Sequence, residues 1–297
     1  MWERELQEIQ NGNIKTIARC ISVAENEGAG YETLLENLPL SNTPVIGITG
    51  PPGAGKSSIV NGFIRLLTGK GKKLGVICVD PSSIFSSGAI LGDRIRMTES
   101  YNNPSVYIRS LATRGSLGGL HPKIIEISDI LKASVFDYII IETVGVGQTE
   151  IEIAGLADLT LVVLVPGTGD DIQTMKSGIM EIADLFVINK ADLPGAATLE
   201  KDIREMMSVK ESEDSADIPV LKTIATSHEG IDEAMKTIDQ LLQKNNTNPK
   251  RFALMAKKAF YLIAEKKMKN IDPGELEARI RENEGKINLY RFIRNYV

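Results

Sequence analysis

The octapeptide Gly50-Pro51-Pro52-Gly53-Ala54-Gly55-Lys56-Ser57 has the residue types and spacing needed to capture a polyphosphate. It matches G-x-x-x-x-G-K-[ST] and stands between an apolar run, Pro44–Thr49, and a segment of helical apolar spacing, Ser58–Leu67. Small residues let backbone N–H groups close around a β-phosphate at a helix N-terminus, where the helix dipole favours negative charge. Lys56 supplies a cation for the β- and γ-phosphates, and the Ser57 hydroxyl a ligand for Mg²⁺. Residues Gly50 to Ser58 are therefore the candidate nucleotide loop. A bound nucleoside triphosphate is expected.

A second constellation selects the base. Asn189-Lys190-Ala191-Asp192 follows the apolar run Leu185–Ile188 and fits the N-x-x-D spacing, with lysine second, that reads guanine. A carboxylate at Asp192 can accept from guanine N1–H and its exocyclic amine together, a donor pair that adenine lacks. Charge-assisted bonds of about 1.5–3 kcal/mol each make that a large discrimination. Ala225-Thr226-Ser227 is placed to offer a backbone N–H to guanine O6.

Three acids could manage the metal and the attacking water: Asp80, Asp93 and Glu142. Mg²⁺ keeps several waters and takes few carboxylates directly. Ser57 and Asp93 are the expected direct or near-direct ligands, with Asp80 and Glu142 holding metal-bound or attacking water. Gly145, three residues beyond Glu142, offers its N–H to the γ-phosphate. Lys56, Asp80, Glu142 and Gly145 form the candidate catalytic set. Gln148 does not directly follow the glycine, so no water-positioning glutamine is assigned and slow intrinsic hydrolysis is expected. Arg94, Arg96, Arg109 and Arg114 are each either a charge-stabilising group or a salt-bridge partner.

The elements that must position these groups follow from periodicity. Strands are predicted at Val45–Thr49, Leu74–Val79, Val106–Ile108, Tyr138–Glu142, Leu159–Val165, Leu185–Asn189 and Val220–Thr223. Runs such as Tyr138-Ile139-Ile140-Ile141 suit a parallel sheet covered on both faces. The predicted fold is α/β, a doubly wound, mostly parallel sheet with the site at the carboxyl ends of its strands. Residues 1–40 read as an N-terminal helical extension, 41–245 as the nucleotide domain and 246–297 as a helical tail. That tail packs on its own domain or forms a dimer contact. Lys201–Asp217 reads as an exposed helix followed by a loop.

Composition narrows the partners. Lys and Arg number 34 against 39 Asp and Glu, a net charge of −5, which argues against general nucleic-acid or anionic-membrane binding. No apolar run reaches a membrane span and Met1–Glu5 carries no signal-peptide core, so a cytoplasmic protein is expected. Two cysteines, Cys20 and Cys78, and two separated histidines, His121 and His228, do not make a His/Cys metal site. Cys78 is expected buried and reduced, and each histidine on a loop or the surface.

With these residues in view, the chain resembles the MeaB/ArgK-type GTPases, the methylmalonyl-CoA mutase-associated G-protein chaperones of the SIMIBI class. The resemblance rests on Gly47–Ser57, Val79–Ser83, Ser87–Met97, Ala112–Gly119, Glu142–Glu150, Pro166–Ile179 and Asn189–Asp192, with Ala18–Asn26 near the N-terminus. It covers roughly residues 14–235. The resemblance implies a homodimeric GTPase that binds a cobalamin-dependent acyl-CoA mutase, gates its cofactor loading and protects it from inactivation. It places the family's nucleotide and Mg²⁺ roles on Lys56, Ser57, Asp80, Asp93, Glu142, Asn189, Lys190 and Asp192, and a nucleotide-reporting segment on Gly167–Gln173. Two other readings compete. A metallochaperone GTPase would call for a His- or Cys-rich tract, and an ATP-dependent transport-related kinase for a site without the guanine pattern.

Overall fold

The computed structural model describes residues 2–80, 103–113, 120–145, 152–167, 180–209, 218–244, 249–268, 271–282 and 288–294. Seven strands form: β1 (Val45–Thr49), β2 (Leu74–Asp80), β3 (Val106–Ala112), β4 (Tyr138–Glu142), β5 (Leu159–Leu164), β6 (Leu185–Ile188) and β7 (Val220–Lys222). All pair in parallel, in the order β3-β2-β4-β1-β5-β6-β7. Every residue of β1, β2, β5 and β6 is buried, as unbroken aliphatic strands require when helices cover both faces. The predicted fold is the observed one. The connection after β1 runs to one side, to β2, and that after neighbouring β4 to the other, to β5, a switch point of the kind at which open α/β sheets place their ligands.

Helices of the first part of the chain are α1 (Glu3–Gln10), α2 (Ile14–Glu25), α3 (Tyr31–Glu36), α4 (Lys56–Gly69), α5 (Ile124–Lys132), α6 (Glu152–Leu156), α7 (Met180–Ile182), α8 (Ala196–Val209) and α9 (Ile231–Lys244). One core lies under α4 and α9, where Ile59, Phe63, Met235 and Ile238 meet Ile46, Ile48, Ile140 and Val163 of the sheet. A second core sets Val162, Leu164, Phe186 and Ile188 against Leu199, Ile203 and Met207 of α8. Residues 201–209 are thus not an exposed helix throughout. One stripe of α8 is core, spaced at three and four residues among charges that solvate the other face.

The N-terminal helices are tied to this sheet. α2 packs on α5, and the Arg109 guanidinium on β3 donates to Glu25 Oε2 at 2.6 Å and to Ser22 Oγ at 3.3 Å. Both cysteines are buried thiols in no disulfide, and burial pushes the Cys20 thiol up to about 11, which keeps it protonated at neutral pH. His121 lies in the loop ahead of α5, one of the two expected settings, but not at the surface. It is buried, and its Nδ1 accepts the Lys123 N–H at 3.0 Å, so the ring serves as a local cap just ahead of α5. His228 is exposed in a turn.

The chain divides into two compact units, Met1–Arg251 and Phe252–Val297. The second holds most of α10 (Pro249–Met268), with α11 (Pro273–Glu282) and α12 (Leu289–Ile293). Phe252, Met255, Phe260, Tyr261, Ile263 and Met268 are all exposed large apolar side chains of α10. Among the described residues no helix is long and apolar enough to cross a membrane.

Candidate functional site

Parallel pairing brings the carboxyl ends of β1, β2, β4, β5, β6 and β7 to one edge of the sheet, and each expected group that is described, Arg109 within β3 apart, follows or ends one of them. The loop after β1 bends through positive φ at Gly50 (141°), Gly53 (75°) and Gly55 (87°), angles that side chains disfavour. A Cβ on Gly50 would collide with the Val163 carbonyl, and one on Gly55 with the Asn189 amide. α4 starts at Lys56 with no side-chain cap, so the N–H groups of its first turn point at the loop.

Lys56, Ser57, Asp80 and Glu142 are 6%, 9%, 6% and 4% exposed. The Lys56 ammonium donates to the carbonyls of Gly50 (2.8 Å) and Pro51 (3.2 Å). The Ser57 hydroxyl donates to Glu142 Oε1 at 2.7 Å, joining the first turn of α4 to the end of β4. Gly145 (φ 87°) lies over this loop; a Cβ there would strike the Lys56 ammonium and sit 2.8 Å from the Gly50 carbonyl. Lys56, Ser57, Glu142 and Gly145 therefore converge. Asp80 ends β2 at the same sheet edge, its carbonyl accepting the Thr113 N–H at 3.1 Å. Asp93, Arg94, Arg96, Arg114, Gln148 and residues 168–173 lie outside the described residues. Of the four arginines, Arg109 is held by Glu25, which accounts for its charge without the nucleotide.

At β6, buried Asn189 acts as a strut. Its Nδ2 donates to the Ala54 carbonyl at 2.9 Å, and its Oδ1 accepts from Ala225 N and Thr223 Oγ1, both at 3.1 Å. Lys190, itself at φ 55°, sends Nζ back to the Gly53 carbonyl at 3.0 Å. Asp192 is exposed beside them. The Ala225 N–H is thus engaged by Asn189 and the Ser227 N–H by the Ile224 carbonyl at 3.1 Å, which narrows the expectation for guanine O6 to Thr226.

Two residues escaped the sequence reading. Thr49 and Thr143, both buried, are joined by a 3.1 Å hydroxyl–hydroxyl bond next to the loop. Their only signal in the sequence was position, each being a polar residue at the end of an apolar strand.

Oxygen-only donors with low exposure, a hydroxyl and carboxylates, suit a hard cation such as Mg²⁺, and the glycine cradle suits a phosphate chain. The family model described as methylmalonyl Co-A mutase-associated GTPase MeaB matches residues 17–272. The chain belongs to this family. A Pyrococcus horikoshii protein named as a GTPase is 41% identical over 247 residues, covering 79% of this chain and 76% of that one. GTPase ArgK of Escherichia coli is 38% identical, covering 63% of this chain and 58% of its own length. The mouse methylmalonic aciduria type A homolog is 38% identical over 65% of this chain and 48% of its own. Among solved structures, the LAO/AO transport system kinase superposes with a TM-score of 0.69 at 24% identity, over 99% of this chain and 95% of that one. Nickel-bound HypB from Helicobacter pylori gives 0.53 at 18%, over 77% and 98%. Both share the fold. This MeaB-family member is a GTPase that binds GTP and GDP, and the family match runs past residue 235 into the second unit.

Proposed function

We propose that this GTPase gates cobalamin loading and protects a cobalamin-dependent acyl-CoA mutase of the methylmalonyl-CoA mutase type. The observation that carries the switch is the Ser57–Glu142 hydrogen bond. It ties the phosphate loop to the end of β4, so filling the site means remaking a contact that reaches into another element. The family's description, which names the mutase association, supports the choice of partner.

In this reading Lys56 exchanges its two loop carbonyls for phosphate oxygens, and the Gly145 N–H meets the γ-phosphate. Mg²⁺, when bound, neutralises charge developing on the phosphates. Ser57 and Asp93 would hold it, with Asp80 and Glu142 orienting water. Asp192 reads the guanine edge while Asn189 and Lys190 keep the base loop against the phosphate loop. Residues 167–173 would report the nucleotide state to the mutase. We assign the domains as 1–40, 41–245 and 246–297, and the exposed apolar stripe of α10 to a homodimer contact.

The test is retention of a cobalamin-dependent mutase on the immobilised protein with GDP and with a non-hydrolysable GTP analogue. Nucleotide-dependent retention supports the reading, and equal or absent retention refutes it. A metallochaperone role, which the HypB fold raises, would need thiol or imidazole ligands. Cys20 and Cys78 are both buried, in α2 and β2.

A further inference from the structure

The geometry points to Thr143 as a positioning residue for hydrolysis: its hydroxyl, bonded to that of Thr49, is the pivot on which the Glu142–Gly145 segment is held to the phosphate loop. This rests on the roles proposed above for Glu142 and Gly145.

Side chains alternate across a strand, and β1 and β4 pair with Ile48 opposite Glu142. Ile48 faces the α4 side, among Ile59 and Phe63, and Glu142 reaches Ser57 of α4 on that side. Thr49 and Thr143, one step on, face the other way. There Ile153 of α6 crowds Gly47, two residues before Thr49. The end of β4 is therefore pinned from both faces of the sheet, by Glu142 on one and Thr143 on the other. The Thr143 N–H also donates to the Ile48 carbonyl at 3.0 Å, extending the ladder one residue past Glu142.

The two pins are not equivalent. Ser57 is the hydroxyl that the phosphate loop would give to the metal, so the Glu142 pin has to be remade when the site fills. The Thr49–Thr143 bond uses no side chain of the phosphate loop, so it can persist when the site fills. Thr49 directly precedes Gly50, and Gly145 comes two residues after Thr143. The bond thus fixes the distance between the residue that opens the phosphate loop and the glycine lying over it. Positive φ at Gly145 lets the chain turn there while Thr143 stays fixed.

The experiment measures steady-state GTP turnover and GDP affinity for Thr143→Val, Thr143→Ser, Thr49→Val and the double valine variant, with Glu142→Gln alongside. Valine keeps the shape and deletes the hydroxyl. Expected is a fall in kcat of about tenfold for Thr143→Val, with GDP affinity within about twofold, and recovery in Thr143→Ser. Thr49→Val should do the same, and the double variant should be no slower than the slower single, because both remove one bond. An unchanged kcat in Thr143→Val overturns the pivot. So does a serine variant as slow as valine, an equal loss of GDP affinity, or a double variant whose loss is the product of the singles. Slow Glu142→Gln with normal Thr143→Val condemns the pivot alone. A normal Glu142→Gln removes the reading of Glu142 and the pivot's purpose with it.

Discussion

The phosphate end and the base end of this site are built on opposite principles. At β1 and β4 the working groups are buried, and each already has a partner within the protein: Lys56 on two carbonyls, Ser57 on Glu142, Thr143 on Thr49. At β6 and β7 the buried group, Asn189, is a strut, and the group expected to touch the base, Asp192, stands exposed. In the proposed reading the phosphate end responds to a ligand because its internal contacts are the ones a nucleotide would exchange. In the same reading the base end only selects, since the bonds of Asn189 and Lys190 that fix its framework are ones a nucleotide does not need to break. Response and selection are therefore separable by mutation.

The largest effect is expected from Lys56→Ala, which removes the cation from the phosphate cradle. GTP and GDP affinity by calorimetry should fall on the order of 1000-fold, since two or more charge-assisted bonds are lost. Next comes Glu142→Gln: turnover should fall about 100-fold while GDP affinity stays within about threefold, because its role belongs to hydrolysis. A matching loss of GDP affinity would make Glu142 part of the binding frame and break the contrast. Asp192→Asn should change selection only, shifting preference from GTP toward xanthosine triphosphate by about 10- to 100-fold in competition assays. The smallest change is expected of Lys190→Ala, whose exposed bond to Gly53 links the two ends; GTP affinity should weaken by roughly two- to tenfold.

The sheet was readable because a parallel strand buried on both faces needs an uninterrupted aliphatic run. β1 and β4 match their predicted spans residue for residue, and the others differ only at their ends, β3 most, running on from Ile108 to Ala112. Edge strand β3 breaks the aliphatic run with half-buried Ile108, Arg109 and Ser110 in its middle, which hid its second half. The phosphate loop and the Asn189–Asp192 tetrapeptide were readable because each is contiguous and its spacing carries its chemistry. Burial of His121 and of one stripe of α8 was not, because a polar cap and a charged helix look alike in sequence whether or not one face meets a core. The Thr49–Thr143 bond joins residues 94 apart, and no local pattern announces a contact across that interval.

Sequence alone determined that seven strands form, that a glycine-rich loop of polyphosphate-binding spacing follows the first, and that a tetrapeptide of guanine-reading spacing follows the sixth. Those features depend on local spacing and backbone freedom, which the order of residues specifies directly. Only the tertiary structure decided that Ser57 meets Glu142, that Asn189 braces the loop at Ala54, and that Thr143 is pinned to Thr49. Each of those contacts exists because parallel register sets distant strand ends side by side. Register is settled by packing both faces of the sheet at once.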